Sequence, residues 1–281
     1  MKNLKYFLIL FLFPFIFSCS SDDDANPVNE DELIGLVKIQ ELSNDAHIVE
    51  LYSKNGILEQ GYNVISLRIK DKNSGNYLTD VSLSWNPVMY MSDMQHACPK
   101  SALVKTVDKQ TLYNGYVVFQ MPSNDMEYWK LTIDYSVDGN DYSVFGNIQV
   151  HEFDKQRVAS FSGTDGKHYV LALIEPSTPK VAVNDMVVGL FEMENMTQFS
   201  IVDDYSIKID PRMPSMGNHG SPNNENLTQQ SNGFYHGKLS LTMTGYWKIN
   251  LQLLNDENQV LKGEEVTDEN ESSSLYLEVE F

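Results

Sequence analysis

Apolar residues in this chain recur with a period of two rather than 3.6, and they do so in two long copies of one pattern. Tyr116-Val-Val-Phe-Gln-Met and Lys130-Leu-Thr-Ile-Asp-Tyr-Ser-Val alternate in the first copy, and Lys238-Leu-Ser-Leu-Thr-Met and Lys248-Ile-Asn-Leu-Gln-Leu in the second. Such alternation specifies strands with one buried face, and the Asn-Gly, Asp-Gly and Pro signals between them specify turns. No amphipathic stretch of ten residues or more reads as a helix. His47-Ile-Val-Glu-Leu-Tyr matches His168-Tyr-Val-Leu-Ala-Leu, Gly61-Tyr-Asn-Val-Ile-Ser-Leu matches the surroundings of Asn184, and Asn114-Gly115-Tyr116 matches Asn232-Gly233-Phe234. Each copy closes on an alternating strand, residues 142–150 and 274–281. The distance from His47 to Trp129 is 82 residues and that from His168 to Trp247 is 79, so whole domains have been duplicated. The fold class expected is all-β: two tandem immunoglobulin-like antiparallel β-sandwiches, residues 34–153 and 154–281. Trp129 and Trp247, each between a Tyr and a Lys, are placed as the core plugs, and Met121 and Met243 as strand residues packed beside them.

The same frame carries clustered thioethers and imidazoles. The first copy reads Pro87-Val-Met89-Tyr-Met91-Ser-Asp-Met94-Gln-His96-Ala-Cys98-Pro99, and the second Pro211-Arg-Met213-Pro-Ser-Met216-Gly-Asn-His219-Gly-Ser-Pro222. Thioethers are soft, neutral and not protonated, so they hold Cu(I) with little pH dependence, and imidazole accepts either oxidation state. In an extended segment residues two apart share a side, which would bring Met94, His96 and Cys98 together. Met213, Met216 and His219 need a turn, which Pro214 and Gly217 permit. Asp93 and Asp210 are the only carboxylates in the loops, which argues against a calcium or magnesium cage. A second reading stands beside this one: methionine is a common filler of cores, and the loops could be lids over the open ends of the sandwiches. His47 and His168 open apolar strands and are expected to be structural, while His236 has no counterpart in the first copy.

Residues 1–18 read as a processing signal, with Lys2 and Lys5 ahead of an apolar run too short to span a bilayer. The run ends in Ile16-Phe17-Ser18-Cys19, which resembles a bacterial lipobox apart from Phe17, and implies lipidation of Cys19 as a membrane anchor. Residues 19–33 form a polar, acidic tether, and its Ser-Asp run resembles the surface-export signal of Bacteroidetes lipoproteins. The expected location is the outer membrane, facing the cell surface rather than the periplasm. Without Lys2 and Lys5 the chain holds 18 basic against 39 acidic residues, a net charge of −21, which argues against nucleic acid and anionic lipid as partners and favours cations. With Cys19 acylated, Cys98 is left alone, as a small buried residue, a mixed-disulfide site or a ligand.

Pro211-x-Met213-Pro-x-Met216-Gly-x-His219, then Gly233-Phe-Tyr-x-Gly237 and Met243-x-Gly-x-Trp247, resembles the YtkA-like and FixH-like domains. These are small extracytoplasmic β-sandwiches associated with copper handling and the assembly of copper-containing respiratory enzymes. The first copy departs from the pattern: it lacks the Gly before its His, has Cys98 where the second has Ser221, and carries an insertion between Met121 and Trp129. The resemblance implies a copper-binding lipoprotein for storage, delivery or tolerance, with a copper-donating or copper-accepting protein as partner. The metal-site candidates are Met89, Met91, Met94, His96, Cys98, Met213, Met216 and His219. No nucleophile elbow, zinc-protease helix, P-loop or dinucleotide fingerprint occurs, so no enzyme activity is expected. The alternative function is a non-metal module of two domains that grips a partner protein or a glycan at the cell surface.

Overall fold

The computed structural model describes residues 30–281, and Cys19 with the signal and most of the tether lies outside them. The first half contains β1 (Val37–Ser43), β2 (His47–Ser53), β3 (Leu58–Glu59), β4 (Gly61–Asp71), β5 (Ser82–Tyr90), β6 (Gln95–Ala97), β7 (Val104–Lys105), β8 (Tyr113–Phe119), β9 (Tyr128–Val137), β10 (Asn140–Ile148) and β11 (Val150–His151). The second contains β12 (Val158–Ser162), β13 (His168–Glu175), β14 (Ala182–Asn195), β15 (Gln198–Ile201), β16 (Ser206–Met213), β17 (His219–Gly220), β18 (Glu225–Gln229), β19 (Tyr235–Leu241), β20 (Tyr246–Leu254), β21 (Val260–Lys262) and β22 (Leu275–Glu280). Among the described residues the helical segments are two short 3-10 turns, Glu30–Leu33 and Pro214–Met216.

In the first half a five-stranded sheet, β1-β2-β4-β8-β7, faces a four-stranded sheet, β10-β9-β5-β6. The alternation explains the layer between them. Val49 and Leu51 of β2, Ile65, Leu67 and Ile69 of β4, and Val117 and Phe119 of β8 point inward to meet Trp85, Met89, Trp129, Leu131 and Ile133 from the other sheet. Asp138 and Gly139, both at positive φ, turn β9 into β10 as an Asp-Gly pair should. The second half buries an equivalent core around Trp247, Ile249, Leu251, Met186 and Leu239. Its layers are not separate sheets: β18 pairs with both β19 and β16 and joins them into one curled sheet, whereas β7 of the first half pairs with β8 alone.

The two halves correspond residue by residue. Pro87 stands opposite Leu131 and Pro211 opposite Ile249. The Asn63 amide accepts from the Glu59 amide and donates to the Glu59 and Gly61 carbonyls; Asn184 does the same with Lys180 and Ala182. The Tyr113 hydroxyl accepts from Val81 N and donates to Thr79 O, as Tyr235 does with Tyr205 N and Val202 O. Two alignments expected from the sequence are corrected. Tyr113-Asn114-Gly115 corresponds to Tyr235-His236-Gly237, so His236 does have a counterpart, Asn114. His47 corresponds to Tyr169, not His168, because Val49 and Leu171 face the equivalent core residues Ile69 and Leu190.

Between the halves lies a third cluster. Tyr62, Tyr116 and Val118, on the outer face of β4 and β8, meet Val158, Val170, Ala172, Phe191, Phe199 and Phe234. The rings interlock, with Tyr62 stacked on Tyr116 at 5.2 Å and Phe234 edge-on to Tyr116 at 5.5 Å. Burial in this layer pushes the Tyr62 phenol up to about 12.

Candidate metal centre

The first Met/His segment is a tight hairpin. Val88, Met89 and Tyr90 of β5 pair with Ala97, His96 and Gln95 of β6, and the Met91 amide donates to the Met94 carbonyl at 3.0 Å across Ser92-Asp93. Directly opposed residues of an antiparallel pair share a face, and alternate residues along a strand do too. The register therefore puts Met89, Met91, Met94 and His96 on one face, while Tyr90 stacks on Tyr128 on the other. Burial grades along that face. Met89 is fully enclosed opposite Trp129, Met91 is half-buried against the core, and Met94 is 49% exposed at the tip.

His96 is half-buried with its ring edge-on to Trp129, centroids 5.6 Å apart. Its Nδ1 lies 2.8 Å from the Ala97 carbonyl oxygen. A carbonyl only accepts, so Nδ1 carries the proton, and in the neutral ring the lone pair is on Nε2. This tautomer leaves Nε2 as the nitrogen able to bind a metal, and the Ala97 carbonyl sets it.

The second segment keeps the pairing but not the shape. Met213 is buried in the second core and sits opposite His219, as Met89 sits opposite His96. Pro214–Met216 forms a 3-10 turn that Gly217 and Asn218 close at positive φ, leaving Met216 56% exposed and His219 exposed. Arg212 stands where the first copy has Val88. Its guanidinium is clamped to Asp210 at 2.7 and 2.8 Å and lies against Gly220, so a cation already borders this loop.

The remaining candidates are dispersed. Cys98 turns into the first core, where burial pushes its thiol up and disfavours the thiolate that would bind metal. Its counterpart Ser221 donates to the Ser240 carbonyl. Met121 and Met243 lie in loops, not strands, and their carbonyls accept the Trp129 and Trp247 indole N–H at 2.9 and 3.0 Å. Met121 packs on the core as expected, but Met243 is 37% exposed. His47 is buried, with the Tyr135 hydroxyl 3.1 Å from its Nδ1; His168 is exposed on its strand, with Nδ1 2.9 Å from Ser162 Oγ. Among the described residues no three His, Cys, Asp or Glu side chains group as ligands, so a site here must draw on thioethers. One neighbour of the first hairpin was not foreseen: the Ala97 amide donates to the carbonyl of Met196 in the second half at 2.8 Å. The only sequence signal for it was a methionine in the turn-like run Asn195-Met196-Thr197. No protein-family model matches this chain, and no curated protein matches it.

Proposed function

We propose that this chain is a two-domain, lipid-anchored protein of the cell envelope that binds copper as Cu(I) at the end of its first half. Met91, Met94 and His96 are the ligands, and the role is storage, delivery or tolerance in exchange with a partner copper protein rather than catalysis. The observation that carries this reading is the hairpin register. It sets three soft donors on one face and leaves His96 Nε2 as the unprotonated nitrogen. The donor set fits the ion: thioether and imidazole suit Cu(I), and a hairpin with Asp93 as its single carboxylate offers too few hard oxygens for a calcium or magnesium cage. Met89, Met213 and Cys98 drop out of the ligand set because each fills a core. Met216 and His219 offer a second, weaker position beside Arg212. The YtkA-like and FixH-like resemblance and the lipobox at Cys19 agree with this assignment, and the acidic tether agrees with display at the cell surface.

The test is anaerobic Cu(I) titration of the full chain in detergent against a chromogenic chelator. Wild type should hold at least one ion at micromolar affinity or tighter. His96→Ala should lose it, and His219→Ala should retain it. A wild type that cannot compete with the chelator refutes the copper reading. The module reading would then lead, on the observation that Met126 (82% exposed), Phe145 (64%) and Tyr128 (39%) stand out from the four-stranded sheet and its β8–β9 loop as a contact surface for a protein or glycan.

A further inference from the structure

The second half reaches the first hairpin at one defined point. β14 and β15 form a hairpin whose apex is Met196-Thr197. Asn195 fixes that apex: its Oδ1 accepts from the Thr197 amide at 2.9 Å and hydroxyl at 2.8 Å, and its Nδ2 donates to Gln198 Oε1 at 2.7 Å. Hairpin tips favour Gly, Asn, Asp and Ser, each for its backbone or hydrogen-bonding behaviour. A methionine contributes nothing to that chemistry, and here it is 37% exposed instead of packed away.

The contact is with the edge of β6 that carries the imidazole. The Ala97 amide donates to the Met196 carbonyl, and the Ala97 carbonyl faces His96 Nδ1. In an antiparallel strand one residue's N–H and C=O project to the same side. His96 and Met196 therefore lie against the same strand edge, flanking the same residue. The tip is held there by Phe199 of β15, which belongs to the aromatic layer with Tyr62 and Tyr116.

We infer that Met196 supplies a thioether from the second half to the Cu(I) held by Met91, Met94 and His96, so that the ion ties the two halves together. This rests on the copper reading above. The hydrogen bond that crosses from the first hairpin ends on Met196 and not on the second Met/His loop, whose Asn218 and Ser221 bond instead to Glu271 and Ser240.

Met196→Leu tests the inference, because it keeps the backbone contact and nearly the volume while removing the sulfur. Wild type, Met196→Leu and His96→Ala would be titrated with Cu(I) as full chains in detergent, and the sulfur coordination number of the loaded proteins read by X-ray absorption. Met196→Leu should weaken binding tenfold or more and lose one sulfur. Unchanged affinity and sulfur count, with His96→Ala still abolishing binding, overturns the role of Met196 and leaves the copper site standing. Weaker binding with the sulfur count intact makes Met196 a structural prop and overturns the role as well. Absence of binding by wild type removes both.

Discussion

Glu50 is a buried carboxylate on the outer face of β2, 6% exposed, and replacing it with glutamine gives a sharp test of how the first half is held. It pairs in register with Arg68 of β4, which is 7% exposed. Oε2 accepts from Arg68 Nε at 2.6 Å, Tyr52 OH at 2.7 Å and Tyr77 OH at 3.1 Å, and Oε1 from Lys38 Nζ at 2.7 Å. The Arg68 guanidinium lies 3.9 Å over the Tyr77 ring. Burial alone would push this carboxyl up, but the bonds from Lys38, Tyr52 and Arg68 outweigh it and hold the group at about 2. An unfolded glutamate titrates near 4.3. The depressed folded value means that the stabilisation is complete above the unfolded value and is lost as pH falls toward 2, and it amounts to about 3 kcal/mol at neutral pH. Glu50→Gln keeps the shape but leaves Arg68 buried against a neutral partner, at a cost of about 3–5 kcal/mol. Urea unfolding followed by Trp85 and Trp129 fluorescence, both buried in this half, reads the difference at pH 7 and again at successively lower pH. The gap between wild type and variant should be largest above pH 5 and should close as pH approaches 2. A gap below about 1 kcal/mol at pH 7, or one that does not change with pH, would mean that water reaches the cluster and the argument from burial is wrong.

Two further outcomes follow from the same geometry. Tyr113→Phe and Tyr235→Phe each remove a hydroxyl that bridges an amide and a carbonyl, so each should cost about 1–3 kcal/mol in urea unfolding. Losses under about 0.5 kcal/mol in both would show that these bridges hold nothing. In a Cys19→Ser variant the Cys98 thiol should resist a disulfide reagent at pH 8 in the native state and titrate as one equivalent in guanidinium; rapid native labelling would put Cys98 at the surface, against the packing described.

The strands were legible because their alternation is strict: Trp129, Leu131, Ile133 and Tyr135 are inward and buried along β9 as the period of two requires. The duplication was legible in outline, but matching letters misplaced its register. Asn114-Gly115 and Asn232-Gly233 look alike, yet Asn232-Gly233 belongs to a turn, and the shared constraint is the tyrosine whose hydroxyl spans the layer. A match of His47 with His168 is off by one residue, and in a strand one residue is the difference between core and solvent. The candidate ligands were legible as residue types but not by face. Met89 and Met213 follow the inward phase of β5 and β16, and nothing in the letters separates them from Met94 and Met216. The layer between the halves was illegible, because Tyr62 and Tyr116 sit at outward positions that on a lone sandwich would be wet. Met196 was missed for the same reason, since its partner Ala97 lies about a hundred residues away in the other half.

The two copies differ at one facing pair of outward positions on neighbouring strands. The facing pair Glu50 and Arg68 of the first half corresponds to Ala172 and Gly189 of the second. In the second half these small residues leave the outer face of β13 and β14 open to aromatic packing. A Cβ on Gly189 would come within 2.7 Å of Phe191 Cε2 and 3.5 Å of Phe234 Cε1. Both rings belong to the layer that receives Tyr116, so the docking face depends on a position with no side chain. In the first half the same positions carry a salt bridge capped by Tyr52, Tyr77 and Lys38, which closes that face with its own polar groups. One frame thus yields an aromatic stretch on β13 and β14 that docks and, at the equivalent positions of β2 and β4, a polar stretch closed on itself beside the docking residues Tyr62 and Tyr116. The docked arrangement is what carries the β14–β15 tip to the edge of β6, and so it sets the geometry of the proposed copper site from a pair of residues that touch no ligand.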